Sequence, residues 1–503
     1  MHSLSQEAGK VFLVGAGPGD PGLITVKGGE CLRLADLVLY DYLVNPSLLR
    51  QARQGAELVR LGHHEPNRSL TQQQINERMI QAAREGKMVV RLKGGDPCVF
   101  GRGAEEVEAL RGAGVPYEIV PGITAALAAA GYAEIPITHA DHCSAVALVT
   151  GQERHGKRGA PLDFGALAGF PGSLVFYMGV MSAREWSAAL VARGKSPDTP
   201  VAVVRRCSWT HQTTLRCTLG TVAESIAQAR LRPPAVIVVG PVAALAPEAS
   251  WFTSRPLFGT RVLVTRPEDQ AHRLCRRLEA LGAEVWIQPA IAISDPPDWR
   301  PVDDALRQLD RYDWLVFSSA NGVRYFLERL CRTGSDLRVL GRVKLAAIGP
   351  GTADALAQYR LRADAVPAQY RAEALAETLR PEAGDRRFLL VRASRGREVL
   401  AETLRGAGAL VEQIVVYTNS DVLQADAHVT AALEAGEIDW VTVTSSTIAQ
   451  SVVRLFGPRL RRTRLVSISP ITSGVLHALG YAPAAEADQY TMDGVVEAIA
   501  RHR

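Results

Sequence analysis

Short runs of β-branched and aliphatic residues recur along this chain, separated by amphipathic helical stretches, and that alternation confines it to the α/β class. VFLVG (11 to 15), LVLYD (37 to 41), MVVRLKG (88 to 94), SAVALVTG (144 to 151), SLVFYMG (173 to 179) and AVIVVG (235 to 240) all read as buried strands. Each ends in Gly or a polar residue, where ligand loops sit in such folds. At 503 residues the chain is too long for one ordinary core, so two or more domains are expected. After AVIVVG the chain runs through Pro241, Pro247 and Pro256, and RVLVTRP then opens fresh alternation at Arg261. The boundary is therefore expected near residues 248 to 258.

A net charge of +5 is small for this length and reads as a solvated surface. It suits a polyanionic substrate and gives no ground for a nucleic-acid partner. Seven scattered cysteines, odd in number and never spaced CxxC, fit reduced thiols rather than a disulfide framework. The first ten residues, MHSLSQEAGK, have no apolar core, and no apolar run reaches membrane length. The expected address is the cytoplasm, with no membrane partner.

The back half repeats itself. DWLVFSSANGV (313 to 323) is echoed by DWVTVTSSTIA (439 to 449), and AAIGPGTADAL (346 to 356) by VSISPITSGVL (466 to 476). Two similar α/β lobes with a cleft between them follow from that paired order.

In the front half, GAGPGDPG (15 to 22) follows a strand, and Gly17, Gly19 and Gly22 match GxGxxG. Pro18 and Pro21 argue against a dinucleotide site, because they stiffen a turn that should open a helix through free N–H groups. Gly94 and Gly95 let a ligand approach backbone closely, and Asp96 adds a carboxylate at the strand end. HADHC (139 to 143) gathers His139, His142 and Cys143, but three ligands in five residues make poor tetrahedral geometry, and no metal is expected.

VFLVGAGPGDPGLITVKG, LVLYDYLV, VVRLKGGDPCVFGRGAEEV, VPGITAALAAAG, IPITH and VFYMG occur in that order. Together they resemble the uroporphyrinogen-III C-methyltransferases over residues 10 to 250. The resemblance implies a two-lobed fold, a homodimer formed through this domain, and S-adenosylmethionine as methyl donor, leaving S-adenosylhomocysteine. It implies that the Gly94–Gly95–Asp96 turn binds the donor with Pro18 against it, and that Val99, Thr124, Ala125 and Met178 line the pocket. Cys207 and Ala235 correspond to further contacts near the adenosyl group. For Met178 the plain alternative is core packing, and for Thr124 a helix N-cap.

Attack by a pyrrole carbon on the donor methyl builds positive charge on the ring and a proton must be managed, so a nearby carboxylate would serve as base or as electrostatic partner. Asp41 stands where the family has that acid, although a strand-end Asp is also a common turn residue. Where the family commonly has a proton-donating lysine, this chain reads LGHHEPNR, with His63 in its place and His64 behind it. RRCSW (205 to 209) is a second departure from the family pattern. Arg91, Lys93, Arg102 and Arg154 are candidates to pair substrate carboxylates.

RVLVTRP, the two DW strands, IGPGTADAL, the stretch from LLVRASRGREVL to VVYTNS, and VTSSTIAQ resemble uroporphyrinogen-III synthase over residues 259 to 500. The implied fold has lobe one from 259 to 290 and 418 to 503, and lobe two from 291 to 417. That family closes hydroxymethylbilane with loss of water while inverting the last ring, a task of positioning more than of acid–base strength. Candidate substrate contacts are Ser318, Ser319 and Asn321 in one lobe and Thr444, Ser445 and Ser446 in the other, with backbone around Gly349 to Thr352. Tyr417 matches the tyrosine that assists departure of the hydroxyl; otherwise it is a half-buried strand aromatic. Arg266, Arg392 and Arg395 are candidate carboxylate partners.

Together these features imply an enzyme that makes uroporphyrinogen III and methylates it at C2 and C7 to precorrin-2, toward sirohaem or cobalamin. Two alternatives stand beside this: a front half that methylates a different corrinoid, or one that binds donor only to regulate.

Overall fold

The computed structural model describes residues 9–62, 70–153, 156, 159–396 and 398–502. The chain divides into two compact units, one of Met1–Gly259 with Leu281–Glu284, the other of Thr260–Ala280 with Val285–Arg503.

The first unit holds two five-stranded sheets. In the first, β1 (Lys10–Gly15), β2 (Leu37–Asp41), β3 (Glu57–Leu61), β4 (Met88–Lys93) and β5 (Tyr117–Val120) lie in the order β3-β2-β4-β1-β5, every pair parallel. The parallel pairing explains the apolar runs: both faces of β1, β2 and β4 are covered by helices. It also brings the carboxyl ends of β1, β2 and β4 to one edge. The second sheet contains β6 (Val146–Thr150), β7 (Ser173–Tyr177), β8 (Pro200–Arg205), β9 (Thr213–Thr218) and β10 (Ala235–Val239), ordered β6-β7-β10-β8-β9. Here only β6 and β7 pair in parallel.

One expected strand needs correction. SAVALVTG does form β6, but as an edge strand with Val146 and Leu148 over a third exposed, since only β7 borders it. β3, β5 and β9 gave no apolar run because they too are edges with open faces.

The second unit also has two sheets. One takes β11 (Arg261–Val264) and β12 (Glu284–Ile287) from the start of the segment and β18 (Trp440–Val443), β19 (Arg464–Ser467) and β20 (Ala485–Glu486) from its end, ordered β12-β11-β18-β19-β20. The other is built from β13 (Ile291–Ser294), β14 (Trp314–Phe317), β15 (Lys344–Ala347), β16 (Arg387–Ala393) and β17 (Leu410–Asp421), ordered β13-β17-β16-β14-β15. The chain crosses between the sheets twice, once from β12 to β13 and once beyond β17.

The repeat read in the sequence has a physical basis. Asp313 and Asp439 each accept a backbone N–H at the start of the neighbouring strand, from Arg387 and Arg261 respectively. The following Trp314 and Trp440 are buried, and each carries a cation over its ring, Lys344 at 5.1 Å and Arg464 at 4.4 Å. Each strand then ends in serines, of which Ser319 and Ser445 cap the helices Ala320–Arg332 and Ser446–Phe456.

Candidate active sites

In the first unit the loops after β1, β4 and β5 cross as nearly bare backbone. Gly17 and Gly95 pair as an isolated antiparallel bridge, with N–H to O distances of 2.8 and 3.2 Å. Gly95 has φ +69°, which favours glycine, and a Cβ on Gly15 would stand 2.5 Å from the Gly122 Cα. Both Asp96 oxygens are engaged within the turn: Oδ1 accepts from Cys98 N at 2.7 Å and Oδ2 from Gly122 N at 2.9 Å. The carboxylate thus pins the Gly94–Asp96 turn to the loop that leads into the helix Ala125–Tyr132.

The segment after Gly17 makes a single short 3-10 turn, Pro21–Leu23, before the helix Val26–Leu34 starts from its own cap, Thr25. Instead of opening a helix, the GPGD loop is clasped by the loop between β8 and β9 and by the end of the helix Ala125–Tyr132. Trp209 Nε1 donates to the Pro18 carbonyl at 2.9 Å, Asp20 N to Ser208 Oγ at 3.0 Å, and Tyr132 OH to Asp20 Oδ2 at 2.8 Å. The RRCSW stretch, a departure from the family pattern, therefore has a structural use in this chain. Cys207 within it is buried, which pushes its thiol up to about 12 and keeps it protonated.

Thr124 occupies the N-cap position of the helix Ala125–Tyr132, yet its hydroxyl does not cap the helix. It lies 2.7 Å from Tyr177 OH, and that phenol accepts from Ala126 N at 2.9 Å in its place. Tyr177 also meets the Phe100 ring at 5.0 Å, so it ties the two lobes together. Its neighbour Met178 is 51% exposed with φ +54°, which rules out core packing. Val99 and Ala125 are partly exposed, as is Ala235 at the start of β10.

Asp41 ends β2, and its Oδ1 accepts from Arg91 Nη2 at 2.6 Å. Arg91 Nε in turn donates to Glu106 Oε1 at 3.0 Å, and Lys93 Nζ reaches the same oxygen at 2.9 Å. Glu106 is 0% exposed and its Oε2 has no partner among the described residues. Burial, and then the neighbouring Arg91, push the Lys93 ammonium below its ordinary pKa, against the pull of Glu106 and Asp41. This corrects the expectation for Arg91 and Lys93: both are buried and matched internally, so neither is placed to clamp a substrate carboxylate. Arg102 pairs with Glu105. His63, His64 and Arg154 lie outside the described residues. In the HADHC turn, His139 bridges Cys143 through backbone, and the buried Cys143 thiol sits 3.0 Å from Ser173 Oγ.

In the second unit the expected contacts gather at the carboxyl ends of β11, β14 and β18. Tyr417 OH lies 3.1 Å from Ser319 Oγ. Burial raises its pKa, while hydrogen bonds to Ser319 and Asn321 oppose the shift. A bulge sets this orientation: Arg392 faces Val415 and Ala393 faces Tyr417, so Val416 and Tyr417 both enter the same core. Asn321 accepts from Gln270 at 3.0 Å, and Thr444 from Arg266 at 3.3 Å. Ser319 and Ser445 serve as N-caps, Ser318 Oγ donates to the Val391 carbonyl, and Ser446 opens the helix that Ser445 caps. Thr352 is buried in the first turn of the helix Pro350–Gln358. Arg392 and Arg395 pair with Glu398 and Asp421, whereas Arg266 meets no carboxylate in a salt bridge among the described residues.

Residues 10–223 match the family model described as Tetrapyrrole (Corrin/Porphyrin) Methylases, and residues 272–497 the one described as Uroporphyrinogen-III synthase HemD. A relative from Ruminiclostridium josui named Porphyrin biosynthesis protein HemD is 35% identical over 448 residues, 89% of each chain. The chain belongs to the family that joins a tetrapyrrole methylase to a uroporphyrinogen-III synthase. A relative from Bacillus subtilis named Uroporphyrinogen-III C-methyltransferase is 38% identical over 67% of this chain and 69% of its own. A Siroheme synthase from Zymomonas mobilis is 45% identical over 49% of this chain and 52% of its own, so the chain spans about half the length of that relative. Members of this methylase–synthase family are S-adenosylmethionine-dependent on the methylase side and act on tetrapyrroles. The present chain is an enzyme with a uroporphyrinogen-III C-methyltransferase domain and a uroporphyrinogen-III synthase domain. Among the described residues no helix is long and apolar enough to cross a membrane.

Sequence reasoning passed over Tyr177, Trp209, Glu106 and Gln270. Tyr177 stands next to a matched residue, Met178, at the end of a strand, and that position was its one signal.

Proposed function

We propose that the domain at residues 259–500 cyclises hydroxymethylbilane to uroporphyrinogen III with loss of water. The domain at residues 10–250 then methylates that product at C2 and C7 to precorrin-2. The observation that carries the methylation step is the bare crossing of Gly17 and Gly95 next to Thr124, which bonds Tyr177, the residue before the exposed Met178, with Asp41 held by Arg91 at the end of a strand in the same sheet as the crossing.

The residues present suit S-adenosylmethionine. Glycine backbone at Gly94 and Gly95 admits close approach, with Pro18 against the turn; Val99, Ala125 and Met178 offer apolar surface, and Thr124 a hydroxyl. Cys207 and Ala235 stand on the second sheet's side, with Cys207 buried and protonated. The donor supplies an electrophilic methyl and departs as neutral S-adenosylhomocysteine. Asp41 takes the proton that the tetrapyrrole loses as its carbon bonds to the methyl. Arg91 holds that carboxylate in place through its hydrogen bond to Oδ1. His63 is proposed as proton donor on its sequence position alone. The methylase domain is proposed to form the homodimer.

For ring closure, Tyr417 passes its phenolic proton to the departing hydroxyl, which leaves as water, and regains the proton that the pyrrole carbon releases once it has formed the ring-closing carbon–carbon bond. Burial favours the neutral phenol before and after the step. Ser318, Ser319, Asn321, Thr352, Thr444, Ser445 and Ser446 surround the substrate with hydroxyl, amide and helix N-terminal donors suited to carboxylates. No metal takes part in either step as proposed.

Titration calorimetry with S-adenosylhomocysteine tests the donor site. Wild type should bind, whereas G95V, which forces a β-branched residue into φ +69°, should not. Absence of binding by the wild type would overturn the methyltransferase reading.

A further inference from the structure

Several charged arginines of the second unit are answered by acids. Arg324 pairs with Asp269 at 2.7 Å, Arg329 with Asp303 at 2.6 Å, and Arg395 and Arg454 with Asp421. Arg266 differs. It follows β11 at the carboxyl edge of its sheet and is partly buried, and its partners are neutral. One terminal nitrogen donates to Thr444 Oγ1 at 3.3 Å and to the Met492 sulfur at 3.6 Å, the other to Gln270 Oε1 at 3.1 Å. Its Nε is shielded from solvent without any partner among the described residues. Burial pushes the guanidinium below its ordinary pKa; Asp269 opposes this, but that carboxylate is committed to Arg324.

Thr444 and Gln270 do not require a cation, since a neutral amide would satisfy both. A charge kept at this cost, without an anion paired to it among the described residues, fits one that arrives from outside. Position agrees. Gln270 continues to Asn321, and Asn321 with Ser319 holds Tyr417, so a neutral chain leads from Arg266 to the phenol of the other lobe. The capped N-termini of the helices Ala320–Arg332 and Ser446–Phe456 open beside it, adding partial positive charge.

We propose that Arg266 is the carboxylate anchor of the synthase domain, a guanidinium that grips one acetate or propionate arm of the linear tetrapyrrole and fixes how the chain lies against Tyr417. The inference rests on the cyclisation reading and adds a specific residue and ligand group to it. An incoming carboxylate replaces weak neutral bonds with a forked, charge-assisted pair.

The test uses the full chain with R266Q and R266K. Initial rates of hydroxymethylbilane cyclisation give KM and kcat, and thermal melting with and without uroporphyrin III, a cyclic octacarboxylate, gives the ligand-induced shift. R266Q should raise KM about 10- to 100-fold with kcat within about threefold, and should melt no lower than wild type without ligand. It should also lose the shift that uroporphyrin gives the wild type, and R266K should recover part of the KM. An unchanged KM, or a fall in melting temperature alongside equal losses in both variants, would make Arg266 a structural residue and overturn the proposal. Should R266Q fail to fold, R266K alone decides through its KM-to-kcat split. A wild type that never cyclises the bilane would instead sink the cyclisation reading itself.

Discussion

At the end of β4 the buried charges are matched inside the protein, whereas at the end of β11 one cation has no carboxylate partner among the described residues. Arg91 and Lys93 share Glu106, and Arg91 also holds Asp41. Among the described residues Arg266 bonds an amide, a hydroxyl and a thioether. Both domains meet a polycarboxylate under the proposed reading, so the difference lies in what each strand end does. The end of β4 spends its cations on Asp41 and Glu106 and so holds one carboxylate ready for a proton. The end of β11 keeps a cation for the substrate to neutralise.

The comparison breaks most visibly at Asp41. D41A and D41N should lower methyl transfer to supplied uroporphyrinogen III by about 10²- to 10⁴-fold and leave cyclisation of hydroxymethylbilane unchanged. Parallel assays of the two reactions decide it, and equal losses in both would end the division of labour between the domains. Next in size is Glu106. E106Q strands two cations around a residue that is 0% exposed, which should cost about 3 kcal/mol or more in urea denaturation. A change under about 1 kcal/mol would mean that the network carries little.

Y417F removes the phenol but keeps the ring in its core, and should slow ring closure about 3- to 10-fold with little loss of stability. A loss no greater than assay error would leave Tyr417 as packing. The smallest effect concerns acid. The Ser451 hydrogen bond, with Arg395 and Arg454, holds the Asp421 carboxyl below its ordinary 3.8. Below that value the unfolded chain binds the proton more readily than the folded one. The stabilisation is therefore complete above 3.8 and lost as pH falls through the folded pKa. Denaturant midpoints of D421N measured from pH 5 downward should vary less with pH than those of the wild type.

What the sequence revealed was mostly backbone. Gly94, Gly95 and the GPGD loop declare themselves because the φ of +69° at Gly95 favours glycine and only small residues allow such crossings. The DW repeats were legible for a similar reason, since each aspartate clamps the next strand through main chain. Side-chain partners far along the chain were not. Trp209 reaches Pro18 from 191 residues away and Tyr177 reaches Thr124 from 53, and no local pattern marks either contact. Arg91 and Lys93 looked like substrate clamps because a strand-end cation reads alike whether its anion is a ligand or a buried glutamate. Tyr417 faces the core through a bulge that VVYT does not betray.

The central claim is that one polypeptide prepares a tetrapyrrole ring in its second domain and alkylates it in its first. The most direct measurement is product mass from the purified chain given hydroxymethylbilane, with and without S-adenosylmethionine. Uroporphyrinogen III should appear without the donor, and the same ring carrying two added methyl groups should appear with it. Recovery of unmethylated ring, or only of the uninverted isomer, in the presence of donor would contradict the account.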